Sequence, residues 1–266
     1  MKYLGSKSRI AKHIVPIIQK CIDDNKITKY YEPFVGGANV IDKIKCINRY
    51  GSDKNKYLIA LLRYVQQERE LLDDVPRQLY NEVREAYNNN LNIYEDWYIG
   101  MVGFLASYNG RWFDGGYAQP GYENTKNGKR YRNYYQEAKN NIIQQIPNIR
   151  NVEFAVADYR DYNFNDIEAS VIYCDPPYAN TKGYETSKNF NCDEFWNTVR
   201  KWSVSHYVLV SEEDAPDDFV CIWEKSVPRS IKATDKSKSI EKLFTYNKGL
   251  YYDKYKNKIN INDKLF

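Results

Sequence analysis

The amino-acid sequence predicts an α/β fold in which one sheet is interrupted by a mostly helical insert. Three observations support this prediction. Short β-rich runs alternate with segments of helical periodicity towards both ends of the chain. Two glycines, Gly36 and Gly37, follow the first β-rich run, and Asp53 lies 17 positions beyond Gly36. A later β-rich run, residues 171–174, ends at Asp175-Pro176-Pro177-Tyr178.

The beginning of the chain has the order helix, strand, glycine turn, helix, strand, acid. Apolar spacing predicts a helix over 8–21, in which Pro16 should cause a kink or a break. Residues 29–35 predict the first strand, and the apolar residues in 40–47 predict a helix after the glycines. A second strand is expected around 49–52. This order is typical of the start of a nucleotide-binding α/β unit.

The pattern changes in the middle of the chain. Helices are predicted over 58–72, 75–87 and 97–106. The polar, aromatic and glycine-rich stretch that follows, 107–133, is predicted as a long loop, which inside a compact domain is usually functional or disordered.

Strands are predicted again in the last part of the chain, near 152–157, 171–174, 207–210, 219–223 and 242–246. We therefore predict that residues 1–60 and 146–266 form the sheet domain and that 61–145 form the insert.

Composition excludes several classes of protein. The net charge is only +4, although residues 225–258 carry ten Lys and Arg against three acids, a patch that attracts phosphate backbones. Five scattered cysteines without a C-x-x-C pair indicate free thiols in a reducing compartment. With only two histidines, a zinc or Ser-His-Asp site has few residues available, so we expect no metal. No signal peptide or membrane-spanning run is apparent, and the protein should be intracellular.

Asp175-Pro176-Pro177-Tyr178 is the strongest functional signal. The prolines fix φ and have no N–H, so the strand cannot continue, and their carbonyls remain as acceptors at its carboxyl end. An acid, a rigid carbonyl and an aromatic ring at one strand end suit binding of a planar base through its exocyclic amino group. The alternative is an acidic turn with two structural prolines, but four such residue types together make coincidence improbable.

Three other candidates have a functional and a structural interpretation. Glu32–Asn39 is a ligand loop or a packing turn, and the distance to Asp53 in sequence favours a ligand, because an acid at that spacing can reach a ribose hydroxyl. Asp158 follows a predicted strand and is either a partner for an adenine amino group or ribose, or a turn cap. Lys7 is either a phosphate or cofactor contact or an ordinary solvated lysine.

These segments occur together and in order: Lys2-Tyr3-Leu4-Gly5-Ser6-Lys7, Glu32-Pro33-Phe34-Val35-Gly36-Gly37, Asp53 and Asp175-Pro176-Pro177-Tyr178. Over nearly its whole length, the chain resembles the Dam-type (D12 class) DNA adenine N6-methyltransferases. The D-P-P-Y tetrad alone is shared with other amino-methylating enzymes. The ordered set, with a long insert before the tetrad, is much more specific.

The resemblance implies a Rossmann-like, seven-stranded sheet with a reversed last strand and an S-adenosylmethionine cofactor. It implies that Tyr3 lies against the adenosine, that Lys7 lies where the cofactor and target sites meet, and that the loop from Phe34 to Gly37 holds the methionine end. Asp53 would bind the ribose hydroxyls and Asp158 the adenine ring. The cofactor-binding set is Tyr3, Lys7, Glu32, Phe34, Gly36, Gly37, Asp53, Asp158 and Asp175, and the catalytic set is Asp175, Pro176, Pro177 and Tyr178.

The insert, by the same resemblance, is a DNA target-recognition domain, and residues 108–117 resemble the glycine- and aromatic-rich DNA-contacting hairpin of the family. The DNA-binding candidates are Tyr108, Asn109, Arg111, Trp112, Lys126, Lys129, Arg130, Arg132 and Arg229. The sequence departs from the family in two places. Ala38 stands where many members have another glycine, and the region of the hairpin is short and diverged, so base-reading residues transfer poorly.

The sequence therefore predicts a site-specific methyltransferase that transfers a methyl group from S-adenosylmethionine to N6 of a flipped adenine in duplex DNA, either within a restriction-modification system or as a phage orphan methylase. The alternatives are methylation of cytosine N4, of guanine N2 in ribosomal RNA or of a protein glutamine, and a DNA-binding relative without catalysis. We expect a monomer or weak dimer in the cytoplasm of a bacterial or phage-infected cell.

Overall fold

The computed structural model describes residues 1–125, 128–165, 167–177, 190–228 and 238–259. Its helices are α1 (Ala11–Asp24), α2 (Lys56–Gln66), α3 (Arg77–Asn88), α4 (Asp96–Leu105), α5 (Tyr134–Ile149), α6 (Cys192–Ser203) and α7 (Leu250–Tyr255). Its strands are β1 (Lys29–Glu32), β2 (Asn48–Asp53), β3 (Gly121–Thr125), β4 (Gly128–Arg132), β5 (Val152–Val156), β6 (Val171–Cys174), β7 (Tyr207–Glu212), β8 (Phe219–Pro228) and β9 (Lys238–Tyr246).

Seven strands form one sheet in the order β5-β2-β1-β6-β7-β9-β8. β6 pairs in parallel with β1 and with β7, whereas β9 is antiparallel to both β7 and β8. Every residue of β6 and β7 is buried, as expected for central strands with both faces covered. The predicted α/β fold, with a seven-stranded sheet and a reversed last strand, is confirmed.

The chain divides into two compact units. The first unit comprises residues 1–12, 35–44 and 51–157. In this unit α2 packs against α4, and the two helices approach closely because Gly100 has no side chain: a Cβ there would lie 2.2 Å from the carbonyl oxygen of Tyr57.

The second unit comprises residues 13–34, 45–50 and 158–266. Its core is rich in large aromatic side chains, among them Phe195, Trp196 and Trp202 of α6. The Trp196 and Phe219 rings lie 4.5 Å apart between centroids. Asn191 caps α6 by accepting the N–H of Glu194 at 3.1 Å, which satisfies one of the unpaired donors of the first turn.

The helix predicted over 40–47 is wrong. Only a 3₁₀ turn forms there, over Ile41–Lys43, because the backbone is already extended at Ile44 and β2 begins at Asn48. Val40, Ile41 and Ile44 are buried around this turn, and Ile47 is 77% exposed. Apolar spacing over so few residues does not distinguish a helix from a buried turn.

The stretch 107–133 contains more regular structure than predicted. Ser107 and Tyr117 form an isolated antiparallel bridge that closes a loop of two 3₁₀ turns, so the hairpin expected at 108–117 is not there. The hairpin is β3–β4, residues 121–132, whose two strands pair antiparallel. Its strands show no alternation of apolar and polar residues, because neither face packs into a core, and that signal was therefore missing from the sequence.

The other predicted elements are found, but α2 ends six residues before the predicted end at 72 and β8 extends five residues past the predicted end at 223. Pro16 lies inside α1 and does not break the helix, and the kink stays a prediction. Within the described ranges, no helix combines the length and the apolarity needed to cross a bilayer.

Candidate functional site

A tight turn follows β1 in the sequence; we call residues 35–39 the glycine loop. It begins with the Val35 N–H donating to the Ser52 carbonyl at 2.8 Å, and the Ala38 N–H returns to the Val35 carbonyl at 2.9 Å. Gly36 and Ala38 have positive φ values of 48° and 55°. Left-handed backbone suits glycine, whereas Ala38 adopts it at a steric cost.

The two glycines of the loop lie against Tyr3. A Cβ on Gly37 would be 2.8 Å from the Tyr3 Cβ and 2.7 Å from the Asn39 amide nitrogen, and one on Gly36 would be 3.0 Å from the Tyr3 ring. The first unit therefore brings together Tyr3, Gly36 and Gly37, which the sequence assigned to one ligand. The Tyr3 ring is also 5.7 Å from the Phe104 ring.

Asp53 ends β2, and backbone donors orient its carboxylate. The N–H of Asn55 donates to it at 2.9 Å and the N–H of Gly36 at 3.3 Å. Burial raises the pKa of Asp53, whereas the N–H groups of Asn55 and Gly36 act in the opposite direction. A carboxylate can accept about four hydrogen bonds, so this partly buried side chain retains acceptor capacity for hydroxyl groups.

Lys7 lies in a 3₁₀ turn over Lys7–Arg9, which the Ser6 side chain caps. Only 6% of Lys7 is exposed. Lysine is almost never so buried unless its charge is paired or used, and the solvated-lysine alternative is therefore wrong.

Gln145 is a buried polar residue that the sequence analysis missed. It lies on α5, and its amide nitrogen is within hydrogen-bonding distance of the Gly37 carbonyl at 3.3 Å and of the Ala38 carbonyl at 3.2 Å. The available signal was its spacing, because Gln145 continues the buried stripe of Ala138, Ile142 and Ile149.

The β3–β4 hairpin carries two exposed aromatic rings. Tyr122 and Tyr131 face each other in register, 5.3 Å apart between ring centroids, and are 75% and 56% exposed. Lys129 and Arg130 on β4 are also exposed. Exposed rings beside cations form a surface that can stack on bases and attract phosphates.

Arg132, at the end of the hairpin, is held by two carboxylates. Its guanidinium donates twice to Glu137, at 2.7 and 2.9 Å, and once to Glu123, at 3.2 Å. Lys2 also donates to Glu137, at 2.8 Å. The Arg132 guanidinium, followed by Lys2, lowers the pKa of Glu137 to about 2. Arg132 thus anchors the hairpin to the first turn of α5.

The other DNA-binding candidates differ in exposure. Tyr108 is 46% exposed, and Asn109 and Arg111 are exposed as well. The Trp112 ring instead packs 4.5 Å from Phe104 between centroids, as a core side chain does. Lys126 and Arg229 lie outside the described residues.

In the second unit, Asp158 caps the 3₁₀ turn Tyr159–Asp161 in a capping box. The Arg160 guanidinium binds its carboxylate through two contacts of 2.9 Å. The cap interpretation is therefore observed, and the adenine-binding role stays a prediction.

β6 ends at Cys174, as the two prolines predicted. Asp175 directly follows it and is partly exposed, Pro176 is buried, and Tyr178 lies outside the described residues. Burial and then the charge of Asp175 raise the pKa of the Tyr173 hydroxyl, which pairs with Ser211 Oγ at 2.7 Å. β6 therefore presents a carboxylate at its carboxyl end, the edge of an open α/β sheet where ligands bind.

Glu32 and Phe34 are the remaining candidates of the second unit. Glu32 is 2% exposed and accepts the Tyr30 hydroxyl at 2.6 Å. Phe34 packs 5.5 Å from Tyr159 and 5.7 Å from Phe195 between ring centroids. Both side chains are thus fixed by neighbours of their own unit.

Among the described residues, no group of three or more His, Cys, Asp and Glu side chains is arranged to hold a metal. The cysteines are free thiols, as predicted. Burial raises the pKa of Cys174, so the thiol next to Asp175 stays protonated.

Residues 3–240 match the D12 class N6 adenine-specific DNA methyltransferase family, which confirms the resemblance. The chain is 31% identical over 166 residues to the DNA adenine methylase of Escherichia coli K12, covering 56% of this chain and 55% of that protein. It is 26% identical over 200 residues to the type II methyltransferase M.MjaIII of Methanocaldococcus jannaschii, covering 67% and 68%.

The chain is also 21% identical over 221 residues to the type II methyltransferase M.FokI of Planomicrobium okeanokoites, covering 76% of this chain and 32% of that protein. The chain thus spans between about a third and two thirds of the length of these relatives.

Proposed function

This chain belongs to the D12 class N6 adenine-specific DNA methyltransferase family, and we propose that it transfers a methyl group from S-adenosylmethionine to N6 of a flipped adenine in double-stranded DNA. The proposal rests on the position of Asp175. Its partly exposed carboxylate directly follows a buried central strand, and two prolines hold the backbone after it.

The residues of the first unit fit the adenosine end of this cofactor. Asp53 retains acceptor capacity for two ribose hydroxyls, and its orientation is fixed by the N–H groups of Gly36 and Asn55. Tyr3, packed on the glycine loop, offers a ring for the adenosine. When bound, the cofactor supplies an electrophilic methyl group on a sulfonium. Lys7, Glu32, Phe34 and Asp158 complete the proposed set.

Asp175 and Pro176 bind the target amino group in this proposal. A duplex hides adenine N6 in the base stack, so the base has to be flipped at a cost of a few kcal/mol. The Asp175 carboxylate and the Pro176 carbonyl accept the two amino hydrogens, and both bonds draw the nitrogen lone pair out of conjugation. Stacking on Tyr178 contributes about 1–3 kcal/mol. Positioning and charge complementarity supply most of the acceleration.

Residues 61–145 act as the target-recognition domain, and the β3–β4 hairpin contacts the duplex. The exposed pair Tyr122 and Tyr131 and the exposed cations Lys129 and Arg130 support this assignment. Arg132 is the anchor of the hairpin, because its guanidinium already binds Glu137 and Glu123.

Removal of the Asp175 carboxylate tests the reaction. Asp175→Ala should reduce methyl transfer by roughly 10²–10³-fold or more, because the acceptor for an amino hydrogen is lost, and it should leave the affinity for DNA within a few-fold. The exposed acid Asp217 offers a matched control, and Asp217→Ala should retain full activity. Transfer of labelled methyl groups to duplex DNA is the measurement, and full turnover by Asp175→Ala would remove the proposed role.

The acceptor is tested with the same assay. Labelled cofactor incubated with DNA, ribosomal RNA and protein should label only DNA, in 6-methyladenine. Label in cytosine N4, in guanine N2 or in glutamine would support one of the alternatives, and no binding of cofactor would support a non-catalytic relative. Sequencing of DNA from a methylation-free host that expresses the protein would then give the target sequence.

A further inference from the structure

One side chain of α5 forms hydrogen bonds with the backbone of the glycine loop. Gln145 is 7% exposed, and its amide nitrogen lies 3.3 Å from the Gly37 carbonyl oxygen and 3.2 Å from that of Ala38. The same nitrogen is 3.0 Å from Asp42 Oδ2. The two hydrogens of this NH2 group are thus shared among two consecutive carbonyls of the loop and a carboxylate that is itself 8% exposed.

A second contact supports the same segment. Lys43 Nζ donates to the Asn39 carbonyl at 2.8 Å and to Asp42 Oδ1 at 2.6 Å. Asp42 therefore orients both donors, Gln145 from α5 and Lys43 from its own 3₁₀ turn. Three carbonyls in succession, those of Gly37, Ala38 and Asn39, are bound by these two side chains. The N-terminal amine of Met1 also donates to the Gly37 carbonyl, at 3.1 Å, and to Gln145 Oε1.

These hydrogen bonds set the direction of the loop amides. In a trans peptide the C=O and the N–H point in opposite directions, so carbonyls that face α5 turn the N–H groups of Ala38 and Asn39 away from it. The Ala38 N–H donates to the Val35 carbonyl within the loop. The loop also contains Ala38 at φ 55°, which costs free energy and persists only where the surroundings determine the backbone. Without the Gln145 donor, two buried carbonyls would lose a partner and the loop could relax.

We propose that Gln145 is a positioning residue for the methyl donor: it fixes the peptide orientations of the glycine loop and thereby sets the affinity for S-adenosylmethionine. The inference rests on the proposed function, because it takes the glycine loop to bind that cofactor. Gln145 acts through the loop and does not itself touch a reacting atom.

Gln145→Met tests the proposal, because methionine keeps the length of the side chain and removes the donor to the loop together with the acceptor of the Met1 amine. The neighbouring Gln144 is exposed, which makes Gln144→Met the matched control. The dissociation constant for S-adenosylmethionine, measured by calorimetry, should rise about tenfold for Gln145→Met, equivalent to roughly 1.4 kcal/mol, and stay within twofold for Gln144→Met. For Gln145→Met, the KM for S-adenosylmethionine should rise, whereas kcat at saturating cofactor should change much less.

Gln145→Glu provides a second test, since it removes the donor to the two carbonyls and keeps an acceptor for the N-terminal amine of Met1; it should also bind cofactor more weakly than the wild type. If either variant fails to fold, Gln145→Asn gives the same comparison with the smallest change. Wild-type affinity in folded Gln145 variants would overturn the inference and leave the proposed function intact. No binding of S-adenosylmethionine by the wild type would overturn the proposed function.

Discussion

The glycine loop and the β3–β4 hairpin both contact α5, but different forces hold them. The loop is buried and is fixed by close steric approach to Tyr3 and by buried hydrogen bonds from Gln145. The hairpin is exposed and is fixed at its base by ion pairs of Arg132. Buried contacts are screened by salt much less than partly exposed ion pairs. The geometry of the loop should therefore depend on salt less than that of the hairpin.

The largest expected effect comes from a methyl group added to the loop. Gly37→Ala places a Cβ within 3 Å of Tyr3 and Asn39, and we expect it to cost about 1–3 kcal/mol of unfolding free energy and to weaken cofactor binding. The hairpin offers the control. Gly121 has open space around it, so Gly121→Ala should change stability by less than about 0.5 kcal/mol. Urea unfolding measures both, and equal losses would contradict the comparison.

The next comparison distinguishes Arg132, which anchors the hairpin, from Arg130 on its exposed surface. Arg132→Met should cost about 1 kcal/mol at low salt and less at high salt, because it removes screened ion pairs. Arg130→Met should leave stability unchanged, lower DNA affinity and reduce the salt slope of binding by about 1. Unfolding curves and fluorescence anisotropy with a labelled duplex, each at several salt concentrations, are the measurements. A salt-independent loss for Arg132→Met would show that packing, not charge, holds the hairpin.

Acid should weaken the hairpin anchor as the Glu137 carboxylate gains a proton. Pairing lowers the pKa of Glu137 from 4.5 to about 2 in the folded protein. The stability from this carboxylate is therefore fully present above pH 4.5 and is lost as the pH falls from about 4.5 towards 2. Urea midpoints between pH 6 and pH 3 should fall less steeply for Glu137→Gln than for the wild type. Parallel slopes would assign the acid sensitivity to other groups.

The smallest effect has the opposite sign. Ala38→Gly relieves a left-handed residue in the loop, and we expect a net gain of about 0.5 kcal/mol, because the freedom that glycine adds to the unfolded chain offsets part of the relief. The Tm is the measurement, and a lower Tm would show that contacts of the Ala38 methyl group outweigh its strain.

Part of the fold and of the candidate site was predictable from residues that are close together in the sequence. Prolines 176 and 177 predicted where β6 ends, and glycines before Asp53 predicted the loop that contacts it. The spacing of Gln145 on α5 indicated its burial, but its partners were not predictable, because they lie more than 100 positions away in the sequence. The hairpin was placed too early, since its polar strands carry no periodic signal and the aromatic residues of 108–117 pack in turns instead.

α5 has a consequence for how such a protein can change its specificity. Glu137 in its first turn binds the hairpin, and Gln145, eight positions later, binds the glycine loop. A helix advances about 1.5 Å and turns about 100° per residue, so one inserted residue between them would rotate Gln145 to another face. Substitutions in the hairpin outside its anchor leave α5 unchanged. An insertion or deletion between Glu137 and Gln145 would instead alter their relative orientation, so that α5 could not support both the hairpin and the glycine loop.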